Sequence, residues 1–149
     1  MRNPRLCKAI EYAVDHWGPI DGRTRLLKLI YLADQQWFRQ HGRTYTEARY
    51  FRWNHGPFAR EVLSALEWMD GVEILQVPKP GFNGPAYVYQ SGAMTRLNGV
   101  EIDNDFVTIL TDIVTKWRDQ PLQILLSYVY SDATFGEAAF GQRLLDPEA

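Results

Sequence analysis

The stretch Arg25-Leu26-Leu27-Lys28-Leu29-Ile30-Tyr31-Leu32-Ala33-Asp34-Gln35-Gln36-Trp37-Phe38-Arg39 decides the fold of this 149-residue chain. At about 100° per residue, Leu26, Leu27, Leu29, Ile30, Tyr31, Ala33, Trp37 and Phe38 fall on one broad apolar arc. Arg25, Lys28, Gln36 and Arg39 fall opposite. The spacing predicts a helix from Thr24 to His41, opened by Asp21-Gly22 and closed by Gly42 in a left-handed cap. Asp34 breaks the pattern by sitting in the middle of the apolar arc. An ionised carboxylate is costly to bury unless it is paired and hydrogen-bonded. Its expected partners are the backbone N–H groups around Gly56 to Ala59, with His55 and Arg49 as further candidates.

Other helices follow on either side. Leu6, Ile10, Ala13, Val14 and Trp17 recur at helical spacing from Arg5 to Trp17, before Gly18-Pro19. Thr44 to Trp53 reads as irregular or extended. Gly56-Pro57 is expected to start a third helix carrying Phe58, Val62, Ala65, Leu66 and Met69, since proline suits a first helical turn. Val72 to Val77 and Ala86 to Gln90 alternate like strands around a turn at Asn83-Gly84, which predicts a β-hairpin. Asp103 or Asn104 caps a fourth helix bearing Phe106, Ile109, Leu110, Ile113 and Trp117. Pro121 starts a fifth through Tyr130, and the tail from Asp132 to Leu145 is expected to be helical despite Gly136 and Gly141. The class is mainly α (α+β): a compact bundle of five or six helices with one inserted hairpin, expected as a single domain over residues 1–149.

Composition agrees with a globular domain, at 46% hydrophobic and 23% charged residues. A lone cysteine, Cys7, forbids an intrachain disulfide and points to a reducing, cytoplasmic setting. It lies on the apolar side of the first helix, as a core thiol. The charged N-terminal segment does not read as a signal peptide, and no stretch is long enough for a membrane span. Residues 1–60 hold eleven Lys and Arg against five Asp and Glu, and residues 61–149 hold five against thirteen. Such a split marks either an interaction face or two halves that neutralise each other.

The motif Lys28-Leu29-Ile30-Tyr31-Leu32-Ala33-Asp34, followed by Gly42-Arg43, Tyr50 and Gly56-Pro57, resembles the SocA-like antitoxin domain, also called Panacea, a phage-associated family of small helical proteins. The resemblance covers residues 5–75. The C-terminal part departs from the family's pattern: in place of a Thr-His pair and a Pro-Trp, the chain has Ser127-Tyr128-Val129-Tyr130-Ser131-Asp132. The resemblance implies an antitoxin that neutralises a protein toxin by direct contact, the toxin usually encoded by the adjacent gene. It also implies delivery to a Clp-type protease as one route.

The residues singled out form two groups. Asp34, Tyr50, His55, Gly56 and Pro57 are expected to make a structural anchor. Arg49, Arg52 and Trp53, in a segment that interleaves cations and aromatics, are candidates for partner binding, with Arg25 and Lys28 on the basic side of the second helix. Helices followed by a hairpin also suit a winged-helix layout, making a DNA-binding regulator of its own operon the alternative. The third helix, with Arg60 against Glu61, Glu67 and Asp70, is poorly charged for a DNA groove. No catalytic constellation accompanies Asp34, so the chain reads as non-enzymatic. His16, His41 and His55 lie at no metal-like spacing, and no cofactor is expected.

Overall fold

The computed structural model describes residues 3–54, 56–80 and 86–148. Helix α1 (Pro4–Trp17) starts on a proline, whose missing N–H falls where helices leave that group unpaired. It buries Leu6, Cys7, Ile10 and Val14. A short strand β1 (Ile20–Asp21) leads into α2 (Arg23–His41), which Gly42 closes at φ 74°.

Helix α2 is the centre of the molecule. Nearly every residue from Leu26 to Trp37 is buried, including Lys28, Asp34 and Gln35. The reason is its surroundings: α4 (Asn104–Trp117) and α5 (Leu122–Ser131) pack on it, as do β1 and two further strands. The expected two-sided helix, with Lys28 on a solvated face, is thereby corrected. A helix enclosed by neighbours has little polar side to show.

After α2 the chain forms strand β2 (Tyr50–Trp53), which turns back into β3 (Gly56–Phe58). The pairs are Phe51 with Phe58, Arg52 with Pro57 and Trp53 with Gly56. Gly56-Pro57 therefore does not begin the third helix; α3 runs from Arg60 to Met69. Gly56 sits at φ +104°, a conformation no helix accepts and one that favours glycine. A Cβ there would also come within 2.9 Å of the Tyr130 ring. Pro57, lacking an N–H, lies on an edge strand, where proline is tolerated.

Strands β4 (Ile74–Pro78) and β5 (Tyr87–Ser91) form the expected hairpin, from Ile74–Ser91 to Pro78–Tyr87. Its expected turn at Asn83-Gly84 lies outside the described residues. Strand β1 adds to the free side of β5, giving a sheet of order β1-β5-β4. The order α1, β1, α2, α3 and the β4–β5 hairpin would be that of a winged helix if α2 and α3 were joined directly. However, residues 42–59, with β2 and β3, stand between α2 and α3, where a helix-turn-helix uses a turn of about 3–4 residues.

Asp103 caps α4 by accepting from the backbone N–H groups of Asp105 and Phe106. The expected C-terminal helix reduces to one turn, α6 (Ala133–Gly136). The chain then turns through Gly141 at φ +81° and returns as β6 (Arg143–Leu144), paired with Phe51 and Tyr50 of β2. Those pairings draw the tail away from helix. The buried apolar residues of all six helices form one contiguous cluster, which includes Cys7. Among the described residues, no helix is long and apolar enough to cross a membrane.

Candidate functional site

Asp34 is fully buried, and its carboxylate gathers the loop that follows α2. One oxygen, Oδ1, accepts from the backbone N–H of Tyr45 at 2.9 Å and of Thr46 at 3.0 Å. The other, Oδ2, accepts from the Tyr50 hydroxyl at 2.7 Å and from the Thr46 hydroxyl. The expected partners near Gly56 to Ala59 are not used. Arg49 instead pairs with Glu61 at 2.8 Å, and His55 lies outside the described residues. The cause is the Gly42 cap, which folds the chain directly back over the last turns of α2, so residues 45, 46 and 50 reach Asp34 first. Tyr31 packs edge-on to the Tyr50 ring, 5.0 Å between centroids. Burial pushes the Asp34 carboxyl up to about 6, with the four donors pulling the other way. Four donors fill the roughly four lone-pair positions of a carboxylate.

The five candidate contact residues fare differently. Arg25 is spent within the fold: its guanidinium donates to the carbonyls of Arg118 at 3.1 Å and Gln120 at 2.6 Å, satisfying the C-terminal end of α4. Lys28 is only 4% exposed, and its ammonium donates to the Pro57 carbonyl at 2.7 Å. Arg49 is exposed but tied to Glu61. Arg52 is half-buried, donates to the Phe135 carbonyl at 3.2 Å and lies over the Phe135 ring. Trp53 remains open, at 47% exposure.

Around Trp53 the structure assembles an aromatic surface. Phe140, 57% exposed, stacks on Trp53 with centroids 5.0 Å apart. Phe58 also stacks near Trp53, at 6.5 Å. Tyr130, also exposed, stacks on Phe135 at 5.2 Å. Phe140 and Tyr130 had no signal in the sequence. They join Trp53 because β6 zips the tail onto β2 and because α5 lies against β3. Exposed apolar patches rimmed by polar groups mark interaction surfaces, and Trp, Tyr and Arg dominate contact energies.

Next to Trp53 opens a cleft of about 260 Å³. Leu27, Lys28 and Phe58 line it, with Arg23 and Thr24 from the first turn of α2. Burial lowers the Lys28 ammonium to about 8. A larger groove of about 630 Å³ lies elsewhere, between α1 and α3, lined by Arg49, Glu61 and Trp68. Arg49 and Glu61 neutralise each other there. Among the described residues, no group of three His, Cys, Asp or Glu could hold a metal ion.

A family model described as the antitoxin SocA-like Panacea domain matches residues 26–118. The chain belongs to that family. The Panacea match begins within α2, spans Asp34, Tyr50 and strands β2 to β5, and closes at the end of α4. It thus runs beyond the motif region and stops before α5 and the tail, which supply Tyr130 and Phe140. No curated protein and no solved structure matches the chain. A Panacea antitoxin domain implies a toxin as its partner in general terms.

Proposed function

We propose that this chain neutralises a cognate protein toxin by direct contact, through the aromatic surface centred on Trp53. Membership of the antitoxin family over residues 26–118 carries the reading. The location of the contact rests on the stacked, exposed pair Trp53 and Phe140 beside the Arg52 guanidinium. The Asp34 network serves as the anchor that holds the segment leading into β2, with Tyr50 as its last tie. The adjacent gene is the proposed source of the toxin, the cytoplasm the proposed setting, and hand-over to a Clp-type protease one route of disposal.

Co-expression with the product of the adjacent gene tests this. The wild-type chain restores growth, whereas Trp53→Ala combined with Phe140→Ala does not, although it melts like the wild type. A neighbouring product that is harmless alone, or equally toxic with and without this chain, sinks the proposal. The winged order of elements supports a second reading, binding to its own operator DNA. That reading requires a salt-dependent mobility shift on the upstream sequence. The acidic residues of α3 count against it.

A further inference from the structure

The charge on Lys28 is paired with no carboxylate among the described residues. The Pro57 carbonyl takes one of its three donors. A buried cation is normally paired. The surroundings add further positive potential. Helix α2 begins five residues earlier with no side-chain cap and no acidic residue in its first turn, and Arg23 and Thr24 of that turn line the same cleft. A helix N-terminus favours an anion, and the buried ammonium independently asks for one.

The walls narrow the choice of anion. Trp53, Phe58, Leu27 and Leu63 are apolar, and the cleft's roughly 260 Å³ is room for a carboxylate side chain and part of an apolar neighbour, at about 30 Å³ per water-sized group. A polyanion fits less well, since only Lys28 and Arg23 bring charge to a cleft whose other walls are mostly apolar.

We propose that this cleft receives an Asp or Glu side chain of the toxin, set beside an apolar residue, with Lys28 as its buried counter-charge, Arg23 at the rim and Trp53 and Phe58 against the apolar neighbour. The identity of the partner rests on the antitoxin reading; the anion site does not. An arriving carboxylate also returns the Lys28 ammonium toward its ordinary range, because attraction offsets desolvation.

The test has two arms. In the first, the isolated chain carries lysine labelled with carbon-13 at Cε and is titrated with N-acetylphenylalanine, which joins a carboxylate to an aromatic group. Its neutral amide and inorganic phosphate are the comparisons. The expected result is millimolar binding, a shift of the Lys28 signal, an upward move of its titration midpoint, and at least tenfold weaker binding of the amide. An unmoved Lys28 signal, or equal binding of acid and amide, overturns the site. Tight phosphate binding without a carboxylate response overturns the protein carboxylate in favour of nucleic acid. In the second arm, Lys28→Met weakens toxin binding at least about thirtyfold. Arg23→Ala weakens it less and, being a surface change, leaves folding untouched. Undiminished binding by both variants, with rescue by the wild type, overturns the inference and leaves the antitoxin reading standing. A carboxylate response in the isolated chain without wild-type rescue overturns the toxin as the source, while the anion site stands.

Discussion

Replacing Asp34 by Asn probes the anchor with almost no change of shape. The amide oxygen still accepts the N–H groups of Tyr45 and Thr46. The amide nitrogen, however, meets the hydroxyls of Thr46 and Tyr50, both of which donate to the carboxylate. The Thr46 hydroxyl already accepts from the Ala48 N–H at 3.2 Å, so its freedom to reorient is limited. Two buried hydroxyl donors lose their acceptor, at about 1–3 kcal/mol each. Relief from burying a charge offsets part of this. The net expectation at pH 7.5 is a loss of about 2–4 kcal/mol, read from urea unfolding as a lower midpoint at unchanged slope. The pH dependence is more diagnostic. The Asp34 carboxyl is raised in the folded protein from 3.8 to about 6. A raised carboxyl contributes stability fully at acid pH, and that contribution is lost as pH climbs through about 6. The asparagine variant lacks this slope. Its deficit relative to wild type should therefore grow by about 2 kcal/mol between pH 7.5 and pH 4.5. A deficit below about 0.5 kcal/mol at pH 7.5, or one that shrinks toward acid pH, refutes the reasoning.

Lys28→Met should fold and be at least as stable as wild type at pH 7, since it removes a buried charge that no carboxylate among the described residues pairs. Because Lys28 is lowered from 10.5 to about 8, wild-type stability should gain from Lys28 as pH rises from 8 toward 10.5, and the methionine variant should lack that gain in denaturant titrations. Gly56→Ala should lose more than about 1 kcal/mol, measured by thermal melting, because φ +104° and the Tyr130 ring 2.9 Å away both oppose a Cβ. Arg96→Ala should lower the thermal midpoint: Glu73 is buried and takes two side-chain bonds from Arg96, which also lies over the Trp68 ring. Arg96→Lys should recover little of that loss, because an ammonium lacks the planar fork.

The helices and the β4–β5 hairpin were legible because each is specified locally. Apolar spacing gave α1 to α5 their type, and Asp103 and Gly42 marked their ends. Asp34 announced itself as a buried carboxylate by its place on the apolar arc. Its partners were not legible, since the Gly42 turn decides which backbone crosses it. Lys28 was misplaced for a related reason. Periodicity tells which side of a helix is more apolar, not that neighbours enclose both sides. Gly56-Pro57 reads equally as a helix start or an edge strand, and only pairing with Arg52 and Trp53 settles it. The aromatic surface was half visible: Trp53 stood out in its segment, whereas Phe140 reaches it through pairing between residues far apart in the chain, which no local pattern encodes.

The small β3-β2-β6 sheet has a consequence for how the chain keeps its own company. It presents stacked rings to solvent, a hazard for runaway self-association through open strand borders. Both borders are blunted. On one side Pro57 offers no N–H, and its carbonyl is already taken by Lys28. On the other, the two-residue strand Arg143–Leu144 occupies β2. Neither border of this sheet offers a long strand on which further copies could add, which favours a partner that meets Trp53 side chain by side chain. A sticky face is thereby kept selective.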